Sequence, residues 1–303
     1  MLAPKFWYPE NNEKSFSSLA LVPFGHIYSL LSKLRMSKAV KKQFDIPIVC
    51  IGNLNAGGTG KTPTTISAAE FLKDRKYNVH IVSRGYGGTA MGPLSVNDKE
   101  HSADEVGDEA LMLSAFAPTW VATKRSDGIQ SAIKEGADII LLDDGFQDPS
   151  VYKDLSILTV NAKKGFGNNR CIPAGPLREK LSSGLERADV LISIGTETSQ
   201  ITFKSIYKNY INMPLGIANL EVLNTGLSLE NMKVLAFAGI AHPENFFDTL
   251  RAQGAEIVDY QALADHQKLS SKIMKRLIVS ARAENAQLIT CLLYTSPSPR
   301  DIS

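Results

Sequence analysis

The stretch Gly52-Asn53-Leu54-Asn55-Ala56-Gly57-Gly58-Thr59-Gly60-Lys61-Thr62-Pro63 constrains this chain more than any other. It follows an apolar run, residues 46–51, that reads as a buried strand. It leads into a segment with Thr65, Ala68, Ala69 and Leu72 at helical spacing. A strand, a glycine-rich turn and a helix opening with Gly-Lys-Thr form a cradle for phosphate. The glycines let backbone N–H groups turn inward, and the helix N-terminus adds partial positive charge. The lysine reaches the β- and γ-phosphates, and the threonine hydroxyl is placed for Mg²⁺. Asn55, Ala56, Gly57, Gly58, Thr59, Gly60, Lys61, Thr62 and Pro63 are therefore the expected nucleotide contacts. A strict phosphate loop has Gly where this chain has Asn55, and a glycine-rich turn without a ligand is the competing reading.

Downstream, strand-like and helix-like stretches alternate. Strands are expected at 79–82, 119–122, 139–142, 155–160 and 190–194, with helices at 104–116 and 127–134. That alternation predicts a doubly wound, mostly parallel α/β sheet, with the binding face at the carboxyl ends of its strands. Near residue 225 the pattern restarts with strands at 234–238, 256–258 and 287–290 and helices at 243–251 and 270–283, a second, smaller α/β lobe.

Asp143 and Asp144 follow four branched aliphatics, Ile139-Ile140-Leu141-Leu142. A carboxylate ending a buried strand beside a phosphate loop is where such proteins hold Mg²⁺, so Thr62, Asp143 and Asp144 are candidate metal ligands, with Glu179 a further one. Asp-Asp-Gly also suits an ordinary turn. A phosphotransferase must in addition orient and deprotonate an acceptor. Asp108 and His266 are candidates, the carboxylate fixing the imidazole tautomer while the ring takes the proton. Lys61 completes the catalytic set. Arg84 lies in a glycine-flanked loop, Arg125 follows a predicted strand and Arg178 precedes Glu179. Guanidinium groups there could grip substrate or phosphate, although a solvated salt bridge is the commoner fate of an arginine.

A net charge of +2 gives no electrostatic case for nucleic acid, and no sequence feature signals an obligate protein partner. Cys50, Cys171 and Cys291 show no paired spacing, which predicts a reducing compartment. No segment carries the roughly 18–20 consecutive apolar residues that a spanning helix needs. Residues 1–43 are nevertheless unusual. Phe6, Trp7 and Tyr8 precede an apolar stretch, 19–31, that Pro23 and Gly25 interrupt, and Lys33, Arg35, Lys38, Lys41 and Lys42 follow it. Aromatics on one side and a basic cluster on the other suit a helix lying in a membrane interface beside anionic lipid, or one packed on the domain's own core.

With Ser83-Arg84-Gly85-Tyr86-Gly87, Gly107-Asp108-Glu109, Leu142-Asp143-Asp144-Gly145-Phe146-Gln147, Pro173-Ala174-Gly175-Pro176-Leu177-Arg178-Glu179, Phe237-Ala238-Gly239-Ile240 and Asp265-His266 in order after the glycine loop, the chain resembles the tetraacyldisaccharide 4′-kinases. The resemblance implies a P-loop kinase core at 44–224 and ATP with Mg²⁺ as cofactors. It further implies transfer of the γ-phosphate to the 4′-hydroxyl of a tetraacylated glucosamine disaccharide 1-phosphate, giving lipid IVA. An Asp–His pair falls on Asp108 and His266. A lipid substrate held in the membrane implies peripheral association with the cytoplasmic face of the bacterial inner membrane. Two positions depart from the pattern: Asp148 stands where the family usually has His, and Gln267 where it has a second His after His266. The incomplete lobe at 225–290 gives way to residues 291–303, whose Ser-Pro-Ser-Pro run breaks the pattern and is expected to be a non-native tail on a truncated chain. A membrane-associated switch ATPase of the partitioning type is the alternative. That class carries lysine before the paired glycines, and here the residue is Ala56.

Overall fold

In the computed structural model, residues 3–9, 15–220, 228–239, 243–263 and 270–290 are described. They divide into two compact units, one spanning 3–220 and the other with described residues 228–290.

The larger unit contains, in chain order, α1 (Phe16–Lys38), β1 (Ile48–Gly52), α2 (Lys61–Asp74), β2 (Val79–Ser83), β3 (Leu94–Ser95), α3 (Ala103–Val106), α4 (Asp108–Ser114), β4 (Thr119–Val121), α5 (Arg125–Lys134), β5 (Ile139–Asp143), β6 (Leu155–Asn161), α6 (Leu181–Leu185), β7 (Val190–Ile194), α7 (Glu197–Tyr207) and β8 (Leu215–Ala218). The sheet order is β3-β4-β2-β5-β1-β6-β7-β8, parallel throughout except for the β3–β4 edge pair. Side chains alternate across it. Ile140 and Leu142 of β5 join Cys50, Phe146 and Leu158 on one face, whereas Ile139 and Leu141 join Ile66, Ala69 and Leu113 on the other. Both faces are covered, which is why β5 reads as an unbroken aliphatic run. The order in which strands are added reverses around β1, with β5 on one flank and β6 on the other, so the crevice at its carboxyl end is the expected ligand position.

The expected helix at 104–116 is two helices. Gly107 separates α3 from α4 at φ 87°, and a Cβ there would lie 2.5 Å from Tyr86 O. The kink thus brings the loop after β2 against the start of α4. Helices α6 and α7 and strand β8 complete the edge that the sequence pattern left blank.

Pro23 and Gly25 lie inside a continuous α1. Pro23 removes one intrahelical donor, while Gly25 permits close approach, since a Cβ would sit 3.0 Å from Cys171 O. The helix is inside-out. Ser18, Gly25 and Ser29 are its buried residues, and Ser18 donates to Ala174 O at 2.7 Å. Phe16, Leu19, Phe24, Ile27, Leu30, Leu31 and Leu34 are exposed. Among the described residues no helix is long and apolar enough to cross a membrane.

The second unit has β9 (Lys233–Ala238), α8 (Pro243–Ala252), β10 (Glu256–Ala262), α9 (Ser271–Ala283) and β11 (Gln287–Thr290), in a parallel sheet ordered β10-β9-β11. Val234 and Ala236 pack with Phe247 and Leu250 of α8, and Leu235 and Phe237 with Met274 and Leu277 of α9.

Candidate active site

Residues 53–60 turn from β1 into α2 with Gly57 at φ 113° and Gly60 at φ 89°, both left-handed values that favour glycine. The inner side of the turn is pinned by buried polar groups. Asn53 Nδ2 donates to Thr59 Oγ1 at 2.9 Å and to Gly57 O at 3.2 Å, and Thr59 Oγ1 lies 3.0 Å from Thr159 Oγ1. Gly57 and Gly58 face outward, with nothing within 4 Å of where a Cβ would stand. Lys61 and Thr62 open α2, where N–H groups have no intrahelical acceptor. Pro63 occupies the first turn, where its missing N–H costs nothing.

Two expected contacts belong to the scaffold. Ala56 donates its N–H to Pro176 O at 2.7 Å, and Arg178 N donates to Leu54 O at 2.8 Å, so 54–56 pair with 176–178 as a short strand would. The Asn55 side chain turns away to donate to Gly165 O at 3.0 Å. Asn55 and Ala56 therefore anchor the loop, and residues 57–62 are the part left as candidate phosphate contacts.

Parallel pairing sets Asp143 opposite Ile51, level with the start of the loop. Asp143 is 1% exposed, with Thr65 Oγ1 at 3.5 Å and Ser83 Oγ at 3.4 Å. Burial pushes its carboxyl up to about 7, with repulsion from Glu109 adding to the rise and Lys61 opposing it. Asp144 has the opposite character. Burial works against its charge, yet Lys61 and Arg178 overcome this and hold its carboxyl below the ordinary value. Lys61 Nζ stands 3.8 Å from Asp144 Oδ1, and Arg178 Nη1 donates to both Asp144 oxygens at 3.0 Å. Thr62 Oγ1 lies 3.5 Å from Glu109 Oε1. Glu109 is thus a site residue that sequence reasoning passed over. Its place next to Asp108 in Gly107-Asp108-Glu109 was the available signal.

Asp108 is half-buried at the first residue of α4. Arg84 is exposed just after β2 and has no ion pair among the described residues. His266 lies outside the described residues, as do Asp265 and the tail at 291–303.

Two further expected site residues are engaged with protein groups. Glu179 is held within the protein: Arg187 Nη2 donates to its two oxygens at 2.7 and 2.6 Å and Gln147 Nε2 adds a bond at 3.2 Å. Arg125 is likewise held: its Nη1 donates to Asp148 Oδ2 at 2.9 Å and its Nη2 to Asp144 O at 2.8 Å.

A glycine loop entering a helix at Gly-Lys-Thr, beside a buried carboxylate ending the adjacent parallel strand, defines a P-loop NTPase-like fold. The family described as Tetraacyldisaccharide-1-P 4'-kinase matches residues 17–292, and the chain belongs to that family. Curated relatives of that name include one from Jannaschia sp. (strain CCS1), 48% identical over 290 residues, covering 96% of this chain and 88% of the relative. Another, from Dinoroseobacter shibae, is 45% identical over 291 residues, covering 96% and 86%. Among solved structures, LpxK from Aquifex aeolicus in complex with ATP superposes with a TM-score of 0.69 at 25% identity, covering 92% of this chain and 89% of that one. The chain is therefore a lipid kinase by family, and the partitioning-type ATPase is not favoured.

Proposed function

We propose that the chain transfers the γ-phosphoryl group of ATP to the 4′-hydroxyl of tetraacyldisaccharide 1-phosphate, forming lipid IVA, at the carboxyl ends of β1 and β5. The observation that carries this assignment is the convergence there of Lys61, Asp144 and Arg178 beside Thr62, Glu109 and Asp143. The acceptor oxygen attacks phosphorus, the bond to the bridging oxygen of ADP breaks, and the hydroxyl proton passes to a base. Asp108, next in sequence to Glu109, is that base; His266, which the family resemblance pairs with it, lies outside the described residues. Lys61 and Arg178 stabilise the charge that spreads over the phosphoryl and leaving-group oxygens. Arg84, exposed and without an ion pair among the described residues, is available to an anionic substrate.

The residues suit Mg²⁺. A threonine hydroxyl close to one carboxylate, and a second carboxylate whose ionisation is opposed by burial and by the first, make a region that a divalent cation relieves. Thr62 and Asp143 would hold it, with Asp144 and Glu109 alongside, and the ion would neutralise phosphate charge.

The outward apolar face of α1, followed by Lys33, Arg35, Lys38, Lys41 and Lys42, supports peripheral binding to anionic lipid. The cytoplasmic face of the inner membrane is where such a substrate and ATP meet. Incubating the full chain with labelled ATP and disaccharide 1-phosphate lipid tests the assignment. Labelled lipid is the expected product, and hydrolysis of ATP indifferent to the lipid would reject it.

A further inference from the structure

Asp144 sits at φ 50°, in the left-handed region that side chains other than glycine seldom occupy. Such a backbone costs on the order of 1 kcal/mol or more and persists only when neighbours hold it. Its N–H donates to Ile51 O at 3.0 Å, which fixes one side. The other side is fixed by Arg125, the first residue of α5, whose Nη2 donates to the Asp144 carbonyl at 2.8 Å.

Arg125 is 6% exposed, and its buried Nε has no acceptor, so the guanidinium is sited by what its two Nη atoms hold. The second of these donates to Asp148 Oδ2. Asp148 is itself locked, because its Oδ1 accepts from Ser150 N at 2.9 Å and Ser150 Oγ at 2.6 Å. Two hydrogen bonds therefore run from the Asp148 carboxylate, through Arg125, to the residue whose carboxylate touches Lys61 and Arg178. A buried guanidinium stripped of its counter-charge is costly and seeks another anion. The one already within its reach is Asp144.

We propose that Asp148 is a positioning residue: through Arg125 it sets the backbone of Asp144 and keeps the Asp144 carboxylate on Lys61 and Arg178. This rests on reading Asp143 and Asp144 as the metal- and phosphate-side carboxylates. Without Asp148, Arg125 turns onto the Asp144 carboxylate and draws it away from the site. The carboxylate at 148, where the family resemblance leads one to expect histidine, gives this latch a full ion pair.

The test is calorimetric titration of the full chain with ATP over a range of Mg²⁺ concentrations, without lipid, alongside kcat and KM for transfer. Asp148→Asn should raise the Mg²⁺ concentration for half-maximal ATP binding by about tenfold, the usual cost of losing an outer partner of a metal site. Binding of ATP in EDTA should be unchanged, and Asp148→Glu should recover most of the loss. Arg125→Lys should match Asp148→Asn, since one ammonium cannot span both acceptors, and the double variant should be no worse than either. Circular dichroism of each variant at the assay temperature shows whether the folded form predominates, in which case half-saturation reports the site and not stability. Unchanged metal dependence in both single variants, or effects that simply add in the double, would overturn the latch. A wild type that shows the expected shifts on mutation yet labels no lipid would strike the acceptor assignment and leave the latch standing.

Discussion

Two adjacent aspartates at this site carry opposite electrostatic loads. Asp143, ending a buried strand, meets Glu109 and two hydroxyls, whereas Asp144, one residue into the loop, meets two cations. Lys61 is the residue on which both environments depend. Lys61→Ala should lower transfer by at least about a hundredfold, as expected when one preorganised donor to the transition state is lost. Near-normal turnover in a labelled-phosphate assay would remove Lys61 from the chemistry. Asp108→Asn should lower kcat by about a hundredfold or more with ATP affinity unchanged, the signature of a lost general base; parallel changes in kcat and ATP affinity would instead mark it as a nucleotide contact. Lys61, Thr62 and Asp143 could be marked as candidates from sequence because their spacing to strand and helix ends is that of a phosphate loop with its partner strand, and the structure brings them to one end of the sheet. The partners of Arg125 and Glu179 were not legible, because an arginine at a helix start or a glutamate in a loop gives no local sign of its ion pair. Asp148 and Arg187, which claim them, are fixed by packing.

At the level of elements, α1 departs furthest from a soluble helix. A helix on a globular core usually buries its apolar stripe, yet this one buries serine and glycine and exposes leucine, isoleucine and phenylalanine. Phe24→Ser/Ile27→Ser/Leu31→Ser should weaken binding to vesicles containing anionic lipid by at least about tenfold, each side chain contributing about 1.5–3 kcal/mol when fully buried. ATP binding in solution should be unaffected. Undiminished vesicle pelleting would show that the outward face is not the membrane contact. Sequence located this segment through its aromatic and basic flanks, but which face pointed inward was not legible, because apolar residues surround the helix and Ser18 and Ser29 look like surface positions. A similar ambiguity hid α7. Its buried positions, Gln200, Phe203 and Tyr207, include a glutamine whose Nε2 donates to Ser193 O, so the apolar count falls below what periodicity detects. The division at Gly107 was missed because the helical pattern continues on both sides of it. Only the close approach of Tyr86 O requires the break.

The whole molecule bears the cost of the site as folding stability. Asp143 has a folded-state value of about 7 against an ordinary 3.8, so the native state binds its proton more tightly than the unfolded chain does. The contribution of Asp143 to the stability of the metal-free protein therefore falls as pH rises through the window from about 4 to about 7 and is level beyond it. Asp143→Asn should stabilise the chain in EDTA, and the gain should grow by more than about 1.4 kcal/mol, the equivalent of one unit, between the bottom and the top of that window. Thermal melts at pH 5 and pH 8 check this, and an equal effect at both would refute it. The parallel, doubly wound sheet behind this site was readable from the alternation of strands and helices, although the lateral order of the strands was not. That order has a consequence for a chain emerging from the ribosome. β5 lies between β1 and β2 but is synthesised after both. The glycine loop is therefore complete long before the strand that brings Asp143 exists, and β1 and β2 must leave a place for a neighbour not yet made. Until it arrives, the nascent loop has glycines and a lysine but no acidic wall, so tight binding of Mg²⁺ with ATP can serve as a timing mark for insertion of β5.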